Sequence, residues 1–390
     1  MPAIELVETE DIVRLRDTIR RFVEREMPRE KARAWDRDDI YPREVVQKLA
    51  SLGVMGLTVP EEHGGAGRNI TATMAVIEEL SKRSSAVAVP YIMCACYAGM
   101  NIVESGSTVQ KAELLPKIAA GELFFSYGLT EPDVGADLAS VKTRARREGD
   151  RIILNGTKRF CTGANFADYI YCLVKSDDTA PRHKNLSVVL VPATAKGVTV
   201  TTTDTIAMHG APTNDVVMED VELPLDAIIG GPERWNRGWE MLVGPVLDVE
   251  RLEVAAMATG LAEAAIADAW AYAETRKQFG KLIASYQAIR HKLADMRTDS
   301  LAARLLLFHA AGKADRGEPV GAESAMAKLY CTERAKAIAL DCQQLIGAYG
   351  VTPEYDIERF VRETLILTIV GGSSNIQRNN ITNMLGLAKG

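Results

Sequence analysis

The sequence predicts an α+β multidomain fold. A helical N-terminal domain (residues 1–122) precedes a central antiparallel β domain (123–230) and a C-terminal four-helix bundle (231–390). Apolar residues recur at helical spacing at both ends of the chain. Between them lie short runs rich in aromatic and β-branched residues. With 390 residues the chain is long enough for two or three domains around a large core.

In the first block Ile12, Val13, Leu15, Ile19, Phe22 and Val23 fall at helical spacing, with Thr9 as the expected cap. Pro42 opens a second helix with Val45, Val46, Leu49 and Leu52 on one face and Gly53 as its stop. Residues 60–67 read as a loop, and helical patterning resumes over 71–82 and 109–120, where Gly121 ends the run. The middle block contains Tyr169-Ile170-Tyr171-Cys172-Leu173-Val174, Leu186-Ser187-Val188-Val189-Leu190-Val191 and Val198-Thr199-Val200-Thr201, all strand-like. Asn155-Gly156 between two such runs predicts a tight hairpin turn. The last block has long alanine-dense helical runs near 250–275, 286–316 and 322–350, and a shorter one after Pro353, the pattern of a bundle.

Composition narrows the function classes. A net charge of -6 argues against nucleic acid as the main partner. The six cysteines form no CxxC pair and the histidines lack ligand spacing, so no metal site is predicted. Cys94 and Cys96 sit in an apolar run and read as packing. Scattered cysteines suit a reducing compartment, and the acidic N-terminus does not read as a secretory signal. No apolar stretch approaches the roughly 20 residues that span a bilayer, so no membrane span and a cytoplasmic location are expected. Gly64-Gly65-Ala66-Gly67 lacks the strand-to-helix setting of a dinucleotide fingerprint and reads as a turn.

Glu250 stands out. It opens a long helical run among mostly apolar neighbours, where burial raises a carboxyl toward the range of a working base. Read alone, it is as easily a solvated residue or half of an ion pair with Arg251. Glu253, one turn on, is its local rival.

Five segments, in order, resemble the acyl-CoA dehydrogenase family. They are Leu129-Thr130-Glu131-Pro132-Asp133-Val134-Gly135-Ala136-Asp137, Asn155-Gly156-Thr157-Lys158-Arg159-Phe160-Cys161-Thr162, Arg276-Lys277-Gln278-Phe279-Gly280-Lys281 with Gln287 and Leu293-Ala294-Asp295-Met296, Gln344-Leu345-Ile346-Gly347-Ala348-Tyr349-Gly350, and Ile376-Gln377-Arg378. The resemblance implies FAD as cofactor, an acyl-CoA substrate oxidised to the 2,3-enoyl-CoA, an electron-transferring flavoprotein as partner, and a homotetramer or dimer. It implies flavin contacts from Tyr127, Leu129, Thr130, Phe160 and Thr162. Arg276, Phe279 and Gln287 are implied at the pyrophosphate or adenine end, with Gln344, Gly347 and Ala348 from a neighbouring subunit. Ser373 and Asn375 are implied near the adenosine.

The base departs from the family's commonest pattern. Where much of the family carries a glutamate in a YEGT segment, this chain has Val370-Gly371-Gly372-Ser373. Members related to isovaleryl- and long-chain acyl-CoA dehydrogenases place the base on the bundle helix just before an arginine. Crotonobetainyl-CoA dehydrogenase is similar in pairing a helix glutamate with Gly-Gly. That position here is Glu250, followed by Arg251. On this reading Glu250 is the base, the Gly371 backbone N–H holds the thioester oxygen, Arg251 supports the helix, and Asp248, Arg251 and Ala136 lie at the substrate. Ala136 replaces the usual serine and forgoes one hydrogen bond, a loss of about 1.5–3 kcal/mol where the partner is charged. Two alternatives remain open: a base-free FAD-binding partner subunit of a heteromeric dehydrogenase, and a dehydrogenase of acyl groups on a carrier protein.

Overall fold

The periodic runs fold as helices. In the computed structural model, which describes residue 6 and residues 8–388, these are α1 (Glu10–Glu26), α2 (Arg29–Arg37), α3 (Arg43–Ala50), α4 (Ile70–Ser81), α5 (Ser85–Tyr91), α6 (Gly99–Ser105), α7 (Thr108–Ala119), α8 (Gly238–Leu242), α9 (Pro245–Thr275), α10 (Gln287–Asp315), α11 (Gly321–Ile346), α12 (Ile357–Leu367) and α13 (Ser374–Met384). Thr9 occupies the N-cap position of α1, but its side chain makes no capping bond. Ser107 does cap α7, in a reciprocal capping box with Gln110. The residues divide into two compact units.

One unit comprises residues 38–69 and 89–247 and holds the sheet. Its strands are β1 (Phe125–Gly128), β2 (Arg144–Glu148), β3 (Arg151–Thr162), β4 (Tyr169–Lys175), β5 (Leu186–Pro192), β6 (Val198–Thr203) and β7 (Thr213–Pro224). The order is β1-β4-β2-β3-β7-β6, with β5 also on β4. The sheet is mixed rather than purely antiparallel: β1 runs parallel to β4, Phe125 opposite Tyr169. The β2–β3 hairpin intervenes between β1 and β4 and supplies the crossover that a parallel pair requires. Strand β4 is buried on both faces. Tyr171 and Leu173 enter one apolar cluster, while Ile170, Cys172 and Val174 enter the other.

The Asn155-Gly156 pair is not the turn its composition suggests. β3 runs unbroken through it, because β7 pairs with both halves of the strand. Gly156 instead marks a bulge at φ +150°, where a Cβ would lie 2.6 Å from Thr143. The hairpin turns two residues earlier than β3 begins, at Gly149-Asp150. The sequence reading also missed a helical run over Ser85–Ser105, which includes a π-helical segment at Ile92–Ala98. At 21 residues it is long and apolar enough to cross a membrane, contrary to expectation, but 89% of its most apolar window is buried inside the protein.

The other unit joins the chain up to Arg37, Ile70–Ala88 and the chain from Asp248 onward. Three long helices, α9, α10 and α11, form its body, and two short ones, α12 and α13, replace the fourth long helix of the expected bundle. A turn over 368–373 separates those two. The antiparallel β8 (Lys277–Gln278) and β9 (Lys281–Leu282) form a small hairpin between α9 and α10.

Buried charge organises this unit. Glu78 is fully enclosed and bonds Arg304 at 2.8 Å and Arg16 at 2.7 Å. Burial alone raises its carboxyl, but the two guanidinium groups and Lys82 more than reverse this and hold it at about 2. The folded value lies below the ordinary 4.5, so the stabilisation is complete above that pH and is lost as pH falls toward 2. Chemical unfolding measured between pH 7 and 2 is expected to show a loss of about 3 kcal/mol from this group. Glu78→Gln is expected to lower stability at pH 7 by a similar amount and to flatten the acid limb.

The sheet unit has its own buried pair. Lys158 on β3, with no exposed surface, donates to Glu131 at 2.8 Å and to the Leu129 carbonyl at 3.2 Å. Lys158→Met leaves Glu131 enclosed without its cation. The expected result is a stability loss of about 3–5 kcal/mol and faster limited proteolysis within residues 129–143, read by mass spectrometry.

Candidate functional site

The sequence-predicted residues fall into two sets, one in each unit. In the sheet unit, Tyr127 is half-buried near the end of β1, and Leu129 and Thr130 follow the strand. The Tyr127 ring stacks on Tyr97 at 4.8 Å, and its hydroxyl accepts from the Asn101 amide. The Thr130 carbonyl accepts the Arg159 N–H at 2.9 Å, directly beside the Lys158–Glu131 pair. Glu131 also accepts the N–H groups of Lys142 (2.6 Å) and Thr143 (2.9 Å). Burial raises its carboxyl, but Lys158 and these bonds bring it below the usual range. Three separate stretches, at 129–131, 142–143 and 158–159, are thereby locked to one another.

Phe160 sits where β3 slips register against β7 between Lys158 and Cys161. Its φ is +60°, a conformation that side chains disfavour, and its ring is 55% exposed. A strand residue turned out of a bulge in this way is the usual device for re-aiming a side chain at a ligand. Thr162 follows, half-buried and opposite Thr213. Ala136 is exposed in the loop after Glu131. An aromatic wall, a threonine and a braced backbone segment suit a planar ring system such as isoalloxazine.

In the helical unit, Glu250 is half-buried and Glu253 is completely buried, so the sequence expectation of a low-dielectric site describes the rival better. Direction separates them. Glu250 and Val254 are one turn apart and share a face of α9. Gly371 rests on that face: a Cβ there would lie 3.0 Å from Val254 Cγ2. Glu253 lies on the side of Gly260, whose Cα packs against α4 at Glu78 and Ser81. Asp248 pairs with Arg251, whose guanidinium is buried and reaches Ser324 Oγ on α11 at 3.4 Å. Burial raises the Asp248 carboxyl, and Arg251 offsets this only in part.

The turn carrying Gly371 is pinned from within. Gly371 and Gly372 have φ of +63° and +82°. Buried Gln377 donates to both their carbonyls at 2.9 Å, and the Lys328 ammonium donates to that of Gly372 at 2.8 Å. Among the described residues the exposed Gly371 N–H meets no acceptor. Burial pushes Lys328 down to about 8, with Glu333 opposing weakly. Ser373 is the N-cap of α13 without a side-chain capping bond, and Asn375 is exposed on its first turn.

Arg276, Phe279 and Gln287 gather around the β8–β9 hairpin. Phe279, at its tip, is 94% exposed with φ +50°. Arg276 lies over Tyr349 at 6.0 Å, beside Gly347 and Ala348, which follow α11 and are exposed, as is Gln344.

Sequence reasoning did not single out Lys158, Glu131, Gln377 and Lys328, the buried groups that brace these segments. Three of them stand inside the quoted motifs, where attention went to their neighbours. Lys328 had its own signal: Ser324, Ala325, Cys331, Thr332 and Ala335, at helical spacing around it, are small or apolar, and all are buried.

Known protein families match most of the chain. The models "Acyl-CoA dehydrogenase, N-terminal domain", "middle domain" and "C-terminal domain" match residues 9–122, 126–221 and 236–386. The chain is 37% identical to a 3-(aryl)acrylate reductase of Clostridium sporogenes, over 90% of this chain and 92% of that protein. It is 33% identical to the caffeyl-CoA reductase-Etf complex subunit CarC of Acetobacterium woodii, over 95% and 97%. A glutaryl-CoA dehydrogenase from Mycobacterium smegmatis, solved in complex with FADH2, superposes with a TM-score of 0.90 at 27% identity, over 98% of this chain and 96% of that one. The chain belongs to the acyl-CoA dehydrogenase family, whose members are FAD-dependent oxidoreductases.

Proposed function

We propose that this protein removes two hydrogens from the α and β carbons of an acyl-CoA thioester, with Glu250 as the base. The observation that carries the reading is the seat of Gly371 on Val254, one turn along α9 from Glu250. A turn without a side chain leaves that face of the helix open to a carboxylate arriving from α9. Glu250 takes the α proton. The Gly371 N–H donates to the thioester oxygen, which gains charge as that proton leaves. Arg251, held by Asp248 and Ser324, fixes the start of the helix. FAD, when bound, supplies the acceptor for the hydrogen leaving the β carbon. Phe160 and Thr162 wall its ring, and Tyr127, Leu129 and Thr130 line it. Arg276, Phe279 and Gln287, with Gln344, Gly347 and Ala348 of a neighbouring subunit, hold its far end alongside Ser373 and Asn375.

An electron-transferring flavoprotein is the proposed acceptor, supported by the Etf-complex relative. A homotetramer or dimer is supported by the uncovered Phe279. A cytoplasmic location rests on scattered cysteines that are buried in both units and form no CxxC pair in the sequence. A second reading runs the same residues in reverse, as a reductase of an aryl-substituted enoyl thioester, with Glu250 returning the α proton. It is favoured by the names of two relatives and by a cluster of tyrosine rings, Tyr97 stacked on Tyr127 at 4.8 Å and Tyr171 tilted against Tyr127 at 5.1 Å.

Anaerobic titration of the yellow holoenzyme with an acyl-CoA panel tests the first reading, and bleaching by one member is the expected result. Mixing dithionite-reduced enzyme with cinnamoyl-CoA tests the second, through return of the oxidised spectrum. Glu250→Gln is expected to bind the bleaching ligand with similar affinity while slowing flavin reduction at least 1,000-fold. Glu253→Gln is expected to reduce within tenfold of the parent rate; the reverse ranking would make Glu253 the base. Gly371→Glu on the Glu250→Gln background is expected to stay inactive, since position 371 is left-handed and its Cβ presses on Val254. Turnover by that double variant in a steady-state assay would show that the pocket accepts either geometry.

A further inference from the structure

The turn at Gly371 is held by an unusual group. Lys328 has no exposed surface, and among the described residues its ammonium makes no ion pair. Its hydrogen-bond partner among the described residues is one backbone carbonyl, that of Gly372. The nearby charges are already engaged. Glu333, farther along α11, pairs with Arg378 of α13 at 3.0 Å, and Arg251 of α9 pairs with Asp248 while reaching Ser324, one turn before Lys328. A lysine enclosed this way is a burden on stability, and burial has already pushed its ammonium down to about 8. Such a burden is characteristic of residues that serve a site rather than the fold.

The bond it makes has one evident consequence. With both carbonyls of the glycine pair turned inward, to Gln377 and Lys328, the Gly371 N–H is left exposed and, among the described residues, without an acceptor. Two consecutive left-handed glycines have many alternative conformations, so something must select this one. We propose that Lys328 is a positioning residue of the reaction: by gripping the Gly372 carbonyl it holds the Gly371–Gly372 turn in the one conformation that presents the Gly371 N–H beside the Glu250 face of α9. Its catalytic consequence rests on the acyl-CoA reading above; its hold on the turn does not.

The test uses the FAD-loaded enzyme and two variants. Lys328→Met keeps the length of the side chain and removes the donor, whereas Lys328→Gln keeps an N–H donor on a shorter stem. Amide hydrogen exchange across residues 366–380 is read by mass spectrometry, together with kcat and KM for a bleaching acyl-CoA. In Lys328→Met the amides of Ser374 and Gln377 are expected to exchange at least tenfold faster, while α9 and α10 exchange at the parent rate and the melting temperature is unchanged or higher. The kcat is expected to fall at least tenfold with KM within threefold, and Lys328→Gln is expected to recover part of both. Parent-like exchange in the turn overturns the proposal, as does acceleration spread equally through α9 and α10, which would make Lys328 a packing residue. If no acyl-CoA bleaches the parent, the functional reading falls by itself, and the exchange data still decide the role of the lysine.

Discussion

Everything proposed for this molecule depends on how closely a side-chain-free turn approaches one helix. Gly371 has room for a hydrogen atom against Val254 and for little else. That contact fixes which face of α9 looks toward the turn, and it separates Glu250 from Glu253, which burial alone would rank the other way. Chemistry on the α carbon needs a base on one side and a donor to the oxygen on the other. On the proposed reading a helix carboxylate and a backbone N–H, which meets no acceptor among the described residues, provide both without a side chain at position 371.

The supports around this contact share a design. Lys158 and Glu131 brace the Thr130 segment, and Gln377 and Lys328 brace the glycine turn. In each case a loop that must stay rigid is held by buried polar groups on a neighbouring regular element. Loops carry function only when a scaffold holds them, and a buried bond to a charged donor holds harder than packing does. The bulge at Phe160 applies the same logic to a strand: pairing to β7 on both sides of the slip keeps one disfavoured residue in place.

Much of this was legible in the sequence. Helical periodicity placed α1, α3, α4, α7 and the three long C-terminal helices to within a few residues, because each buries one stripe or is enclosed on several sides. Strands β4 to β6 were equally plain. What failed was local chemistry overruled by distant pairing. Asn155-Gly156 has the composition of a turn, yet β7 straightens it into a strand. The run through Cys94 and Cys96 has no amphipathic pattern, since it is buried all round, and so it was not read as a helix. The candidate site residues came from motifs. The buried groups that brace their segments did not, because a lone lysine in a helix does not announce which carbonyl it will meet.

The helical unit is discontinuous in the chain, and this bears on how the protein is made. Glu78 leaves the ribosome long before Arg304, which follows it by 226 residues. Until that arginine arrives, a carboxylate destined for a fully enclosed position stays hydrated, and α4 cannot settle against α10. The sheet unit, lying between the two halves, has the chance to fold first. Helices α1 and α4 can pack on one another, through Arg16 and Glu78, as soon as both have emerged, but the face of α4 that meets α10 must wait through most of translation.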